Sequence, residues 1–175
     1  MAKVKILKNK DYYCTDGYFT DSNFIIVSEL IETDNKEFEK MMLTNIPVQA
    51  RNGKIEPFGG TNLGLKKLVE RYSKDIKDNN ELIPLRLMTT TKDNKTLVMF
   101  YNRQTKHLTY IDKKYLDLFP KGIKLYQTNN GCSCSLDNTC LGVIMPVYMK
   151  NSILPEELAI VERELISELP NVEIY

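Results

Sequence analysis

Residues 82–111 read LIPLRLMTTTKDNKTLVMFYNRQTKHLTYI. Branched and aromatic side chains gather in two runs, 82–88 and 96–101, which read as β-strands. Asn102-Arg103-Gln104-Thr105-Lys106 is a short polar connection of the hairpin kind, and 107–111 reads as the returning strand. Connections this short imply antiparallel neighbours, because a parallel pair needs a crossover of about a dozen residues or more.

The same pattern extends outward. Asp112 is placed to cap a short helix through Tyr115, Leu116 and Leu118, ended by Pro120 and Gly122. Strands are expected over 123–126 and 141–148, flanking a loop rich in Cys and Asn. Towards the N-terminus, Leu65, Leu68, Val69, Tyr72 and Ile76 recur at helical spacing and predict a helix over 61–76. Residues 47–58 read as irregular or extended. Asp34 with Glu37 resembles a capping box, starting a short helix that turns Phe38, Met41 and Met42 inward. Strands are expected over 4–7, 12–15 and 24–27, with turns at Asp16-Gly17 and over 20–23. Near the C-terminus, Pro155, Glu156 and Glu157 suit a helix start, Leu158, Val161, Leu165 and Leu169 form one apolar stripe, and Pro170 ends it. There is no solenoid repeat and no low-complexity linker. The expected architecture is a single α+β domain of antiparallel hairpins with two or three amphipathic helices. Residues 1–150 make the body, and 151–175 an acidic helix appended to it.

The chain has 175 residues, 42% apolar and 27% charged, close to globular norms. That length builds a core without staples, and global disorder is excluded. No apolar run approaches the roughly 18 residues of a membrane span. The start, Met1-Ala2-Lys3-Val4-Lys5-Ile6, lacks a signal-peptide layout, so a cytoplasmic protein without a membrane partner is expected. With 24 basic and 23 acidic residues the net charge is +1, which argues against a strongly basic nucleic-acid binder. The distribution is uneven: 151–175 carry Arg163 and six acidic residues, a net of −5, leaving +6 on 1–150. Lysine outnumbers arginine 19 to 5 and asparagine reaches 15, a bias of AT-rich genomes such as a low-GC bacterium or its phage.

The residue types that carry catalysis are sparse. His107 is the one histidine, beside Arg103 and Lys106 and far from any nucleophile motif. Acidic residues do not cluster as catalytic pairs or as metal-binding Asp-x-Asp sets, so a non-enzyme is expected. Cys132, Cys134 and Cys140 fall within nine residues, and Cys14 supplies a fourth thiol. Four thiolates make a closed zinc site, but the spacing is not that of paired CxxC knuckles. Reduced thiols and no cofactor are therefore expected, with zinc as the alternative. Gly59-Gly60-Thr61-Asn62-Leu63-Gly64 precedes a helix without the Gly-Lys-Ser/Thr of a P-loop. What remains is a candidate anion-binding loop of Gly59, Gly60, Thr61 and Gly64, or simply a turn entering the helix. Lys66, Lys67, Arg71 and Lys74 lie on one helix face, spaced to follow phosphates without reading bases; the plain alternative is a solvated face.

Three segments carry a resemblance: Tyr12-Tyr13-Cys14-Thr15-Asp16-Gly17, Gly142-Val143-Ile144-Met145-Pro146-Val147, and Tyr110 to Phe119. Together they resemble bacterial and phage sliding clamps, the ring-forming processivity factors of DNA replication. The first is similar to a strand ending in Thr-Asp-Gly and the second to a closing strand with a Met-Pro pair. The third is similar to helix entries in phage clamp-like proteins. The resemblance implies helices that present basic side chains to DNA, a part open to Lys66, Lys67, Arg71 and Lys74. It implies a homo-oligomer, because a chain of this length holds too few domains to encircle DNA alone. The chain departs from the family in its length and in the acidic segment after the Met-Pro strand. Two functions are carried forward. One is a phage or mobile-element clamp-like protein that binds DNA or a replication protein. The other is a small phage accessory protein that inhibits a host defence protein or sequesters a nucleotide signal, its phosphate held by the loop at 59–64.

Overall fold

The computed structural model describes residues 2–3, 11–32, 36–44, 46–52, 54–60 and 62–149. The expected strand over 4–7, the Asp34 cap, Thr61 and the helix in 151–175 lie outside the described residues.

The strands are β1 (Ala2–Lys3), β2 (Tyr12–Thr15), β3 (Tyr18–Thr20), β4 (Phe24–Val27), β5 (Ile31–Glu32), β6 (Val48–Arg51), β7 (Lys54–Pro57), β8 (Glu81–Thr90), β9 (Thr96–Asn102), β10 (His107–Asp112), β11 (Lys124–Gln127), β12 (Cys132–Leu136) and β13 (Thr139–Ile144). The helices are α1 (Lys36–Leu43), α2 (Leu65–Ser73) and α3 (Lys113–Leu116), with single 3₁₀ turns at Ser28–Leu30 and Asp78–Asn80. β1 and β5 pair in parallel. The other strands form one eleven-stranded sheet in the order β10-β9-β8-β11-β12-β13-β4-β3-β2-β6-β7. Every ladder in it is antiparallel, as the short connections require. None of the described helices is long and apolar enough to cross a membrane.

Local chemistry explains the hairpins. Asp16 and Gly17 join β2 to β3 with both φ positive, the mirror-type turn whose twist suits flanking strands. In the β9–β10 turn, the Asn102 carboxamide oxygen accepts the Gln104 and Thr105 N–H groups at 2.9 and 3.0 Å. Its amide nitrogen donates to Gln127 at 3.1 Å, so this buried side chain is satisfied on every side described. Asp112 caps α3 as expected, accepting from the Lys114 N–H at 3.1 Å. Pro84 sits within β8, beyond the stretch where β11 pairs, so its missing N–H removes no ladder bond on that side.

The region read as irregular or extended, 47–58, is extended and contains the β6–β7 hairpin. Three expectations change. The loop read between 126 and 141 contains a full strand, β12, joined to β13 by Asp137 and Asn138 at positive φ. The strand read as 141–148 starts earlier, at Thr139, and its ladder ends at Ile144. After it, Val147 alone bridges to Tyr110 of β10. The helix read over 61–76 is shorter, because Gly64 takes a left-handed conformation at its start and regular helix ends at Ser73.

Strand alternation sorts side chains onto two faces. One face carries the main core: Tyr12, Cys14, Phe19, Phe24, Ile26, Val98, Phe100, Ile111 and Ile144, covered by Phe38 and Met41 of α1 and Tyr115 of α3. Both ends of the sheet, β9–β10 and β6, contribute to it, so the sheet curls around it. Its centre is aromatic. Phe19 stacks on Tyr12 at 5.2 Å and meets Phe38 edge-on at 4.7 Å, while Phe24 leans on Tyr115 at 5.3 Å. The other face is split. Tyr13, Ile25 and Val143 lie under Leu65 and Val69 of α2, and a second patch occupies β8 to β10.

Candidate functional site

α2 and the loop before it form the most differentiated surface. Leu65 and Val69 are buried, and Leu68 and Tyr72 pack partly against the sheet. The Ser133 hydroxyl donates to the Tyr72 carbonyl at 2.9 Å, tying the helix end to β12. With that side committed, Lys66, Lys67, Arg71 and Lys74 all point outward and are exposed, as their helical spacing requires. Glu70 lies among them, near Tyr18. Burial first, then the Cys140 and Glu70 charges, push the Tyr18 phenol above its ordinary range.

The glycine-rich loop is tied down by its own contacts. The Leu63 N–H donates to the Tyr13 hydroxyl at 3.3 Å, and that hydroxyl donates to the Asn62 carboxamide oxygen at 3.3 Å. The same oxygen accepts the Gly64 N–H at 2.8 Å. Two of the amides that would cradle an anion are thus engaged within the protein, while Gly59 and Gly60 remain exposed. Gly60 has a packing role as well. A Cβ there would meet the far end of the Phe58 ring at 2.8 Å, and that ring packs edge-on against Tyr13 at 4.7 Å.

Between this loop, α2 and the sheet lies a cleft of about 360 Å³. Tyr13, Ile25 and Val143 form its floor, and Phe58, Leu63, Leu65 and Leu68 its wall. Asp11, Asp21, Gln49 and Arg51 stand among its polar lining residues. Arg51 and Asp11 approach to 3.7 Å with both side chains exposed, a weak pair. Asp21 is buried and accepts the Asn23 N–H at 2.9 Å, so it serves the β3–β4 turn. Little in the sequence announces this cleft. Its one local signal is an aromatic residue directly before a glycine pair, Phe58-Gly59-Gly60, next to the Asn62 that folds back on Gly64.

The cysteines divide between the two faces. Cys14, Cys132 and Cys134 belong to the main core, and Cys140 packs with the α2 side. Among the described residues, no three His, Cys, Asp or Glu side chains converge on a position that would hold a metal. Cys132 and Cys134, two residues apart on β12, share the main-core face with Cys14, while the ladder shifts at the bulge at Cys134/Ser135 and Cys140 packs on the other side. Burial pushes the Cys132 thiol up to about 12 and raises the Cys134 thiol as well. Cys14 and Cys140 are also raised, by burial above all. A cysteine nucleophile needs the thiolate, which these surroundings disfavour. His107 is exposed at the start of β10.

Of the segments that carry the clamp resemblance, Tyr12–Thr15 is β2, and the stretch from Tyr110 spans the end of β10 and α3. The stretch from Gly142 runs off β13 to the Val147 bridge with Tyr110, so the last two meet. α1 and α3 lie against the opposite sheet face from α2. Comparison with protein-family models, curated proteins and solved structures found no match.

Proposed function

We propose that this chain is a non-catalytic protein that binds the phosphate backbone of DNA along the exposed side of α2. One observation supports the reading most: four cations, Lys66, Lys67, Arg71 and Lys74, project from a helix whose other side is locked to the sheet by Leu65, Val69 and the Ser133 bond. A rigid row of charges follows phosphates at little entropic cost and reads no bases. In its fuller form the proposal is a phage or mobile-element clamp-like protein, acting in the cytoplasm as a homo-oligomer beside DNA or a replication protein. Replacing the four cations by glutamine and measuring duplex affinity across a salt series tests it. Each lost phosphate contact lowers the slope of log affinity against log salt by about 0.9. Binding unchanged by all four replacements overturns the reading.

The cleft favours a second reading, a small phage accessory protein that takes up a nucleotide signal or an apolar side chain of a host defence protein. Its apolar walls suit a flat ring, and Gly59 and Gly60 stand exposed beside it. Titration with mono- and dinucleotides, followed by Phe58→Ala, separates the readings: a nucleotide site loses affinity in that variant while duplex binding persists.

A further inference from the structure

The cleft beside α2 has apolar walls, and Leu63 on one of them is 50% exposed, so an occupant has aliphatic surface still to bury. The polar side chains of the lining, by contrast, are engaged within the protein. The Tyr13 hydroxyl donates to Asn62 and accepts from the Leu63 N–H. The Thr20 hydroxyl donates to the Phe24 carbonyl and accepts the Ser22 N–H at 3.0 Å. The Ser22 hydroxyl donates to the Asp21 carbonyl, and the Asp21 carboxylate accepts the Asn23 N–H. Gln49 donates to Glu56 at 2.8 Å, and Arg51 stands against Asp11.

We infer that this cleft is a site for a small, uncharged aromatic molecule, and that an acidic group on the ring weakens its binding. The inference rests on the second reading above, in which the cleft takes a ligand, and narrows it: recognition lies in the ring and not in a phosphate. Three observations support it. An anion that leaves water needs donors, and the side-chain donors of this lining already have acceptors. Gly59 and Gly60, exposed as they are, stand outside the lining.

The second observation is charge. Two carboxylates, Asp11 and Asp21, stand in the lining against the one guanidinium of Arg51, so the local field opposes a negative group. The third is shape. Phe58 is set edge-on to Tyr13 at 4.7 Å, with Leu63, Leu65 and Leu68 beside it, which offers a ring both an aromatic face and aliphatic sides. A volume of about 360 Å³ suits a molecule of one or two rings. A peptide is a poorer occupant for the same reason as an anion. Its main-chain N–H and C=O groups would lose water against side chains that are already paired.

Benzamide and benzoate share ring and size and differ in charge, so the pair isolates the inference. Adenosine and adenosine monophosphate repeat the comparison with a nucleotide. Each probe is titrated into the full chain and followed by the methyl resonances of Ile25, Val143 and Leu65, which line the cleft. Benzamide is expected to bind at about millimolar affinity and benzoate at least about tenfold more weakly. The monophosphate is expected to bind no tighter than the nucleoside. Leu63→Ala, at a half-exposed position that the fold tolerates, weakens benzamide several-fold, and Phe58→Ala does the same from the opposite contact. Asp11→Asn strengthens benzoate several-fold and leaves benzamide unchanged. Tighter binding of benzoate or of the monophosphate overturns the inference and leaves the cleft as an anion site. Benzamide binding that neither Leu63→Ala nor Phe58→Ala weakens puts the ring elsewhere and overturns it too. If none of the four probes moves the cleft methyls, the inference falls together with the second reading.

Discussion

Gly142 shows how little room the sheet leaves at a single residue. It pairs with Ile26 on one side and Cys134 on the other, and a Cβ there would collide with the Ile25 carbonyl oxygen. Gly142→Ala is expected to cost about 1–3 kcal/mol, read as a lowered urea midpoint with unchanged slope. The buried thiols make a different prediction. Cys132 is held neutral in the fold, its pKa pushed up to about 12 from 9.0, and Cys134 is raised in the same direction. The unfolded chain ionises these thiols first. Their contribution is therefore full below about pH 9 and drains as pH climbs towards 12. The urea midpoint is expected to hold to about pH 8.5 and then fall. Cys132→Ala flattens the fall only in part, because the raised phenols of Tyr18 and Tyr126 act in the same window. A midpoint that rises above pH 9 overturns the assignment.

Among the elements, α2 was the best anticipated, since its buried stripe and cationic side both follow from helical spacing. Its start was misplaced because nothing local announces that Gly64 adopts positive φ or that Asn62 is claimed by Tyr13, 49 residues away. Tyr13→Phe removes that tie. A loss of about 1 kcal/mol is expected, with faster exchange at the Leu63 amide. The missed hairpins did carry local signals: Asn52-Gly53 between β6 and β7, and Asp137-Asn138 between β12 and β13. β12 was hidden by its own composition, Cys-Ser-Cys-Ser-Leu, which is polar enough for a loop. Only its position in mid-sheet, with α2 accepting a bond from Ser133, makes such a strand tolerable when buried.

At the scale of the molecule, one curled sheet holds a core whose aromatic centre joins α1, β2, β3, β4 and α3. Phe19 is fully buried there, and Phe19→Ala is expected to cost about 3–5 kcal/mol, with cooperative loss of the whole fold in calorimetry. The homo-oligomer that the clamp proposal requires has its own check. Light scattering behind a sizing column should give a mass that is a multiple of the 20.3 kDa chain. A monomer at all concentrations, with and without DNA, would remove the ring from that proposal and leave the α2 face to be tested alone.

The sequence by itself determined what depends on neighbours along the chain. The run of branched and aromatic side chains over 96–101 and the short return to 107–111 marked strands, Asp16-Gly17 and Asn102 to Lys106 marked turns, Asp112 marked a cap, and helical spacing marked which side of α2 would be wet. Each of these is settled within a few residues by backbone geometry and hydrogen-bonding range. The tertiary structure decided what depends on residues far apart. It set the eleven-strand order, placed α2 on the opposite face from α1 and α3, and parted Cys140 from the other thiols. It also engaged the loop amides at Leu63 and Gly64 and opened the cleft beside Phe58. These outcomes turn on register and on which apolar face finds which partner. That choice is made by the burial of the whole chain at once, and no window of sequence contains it.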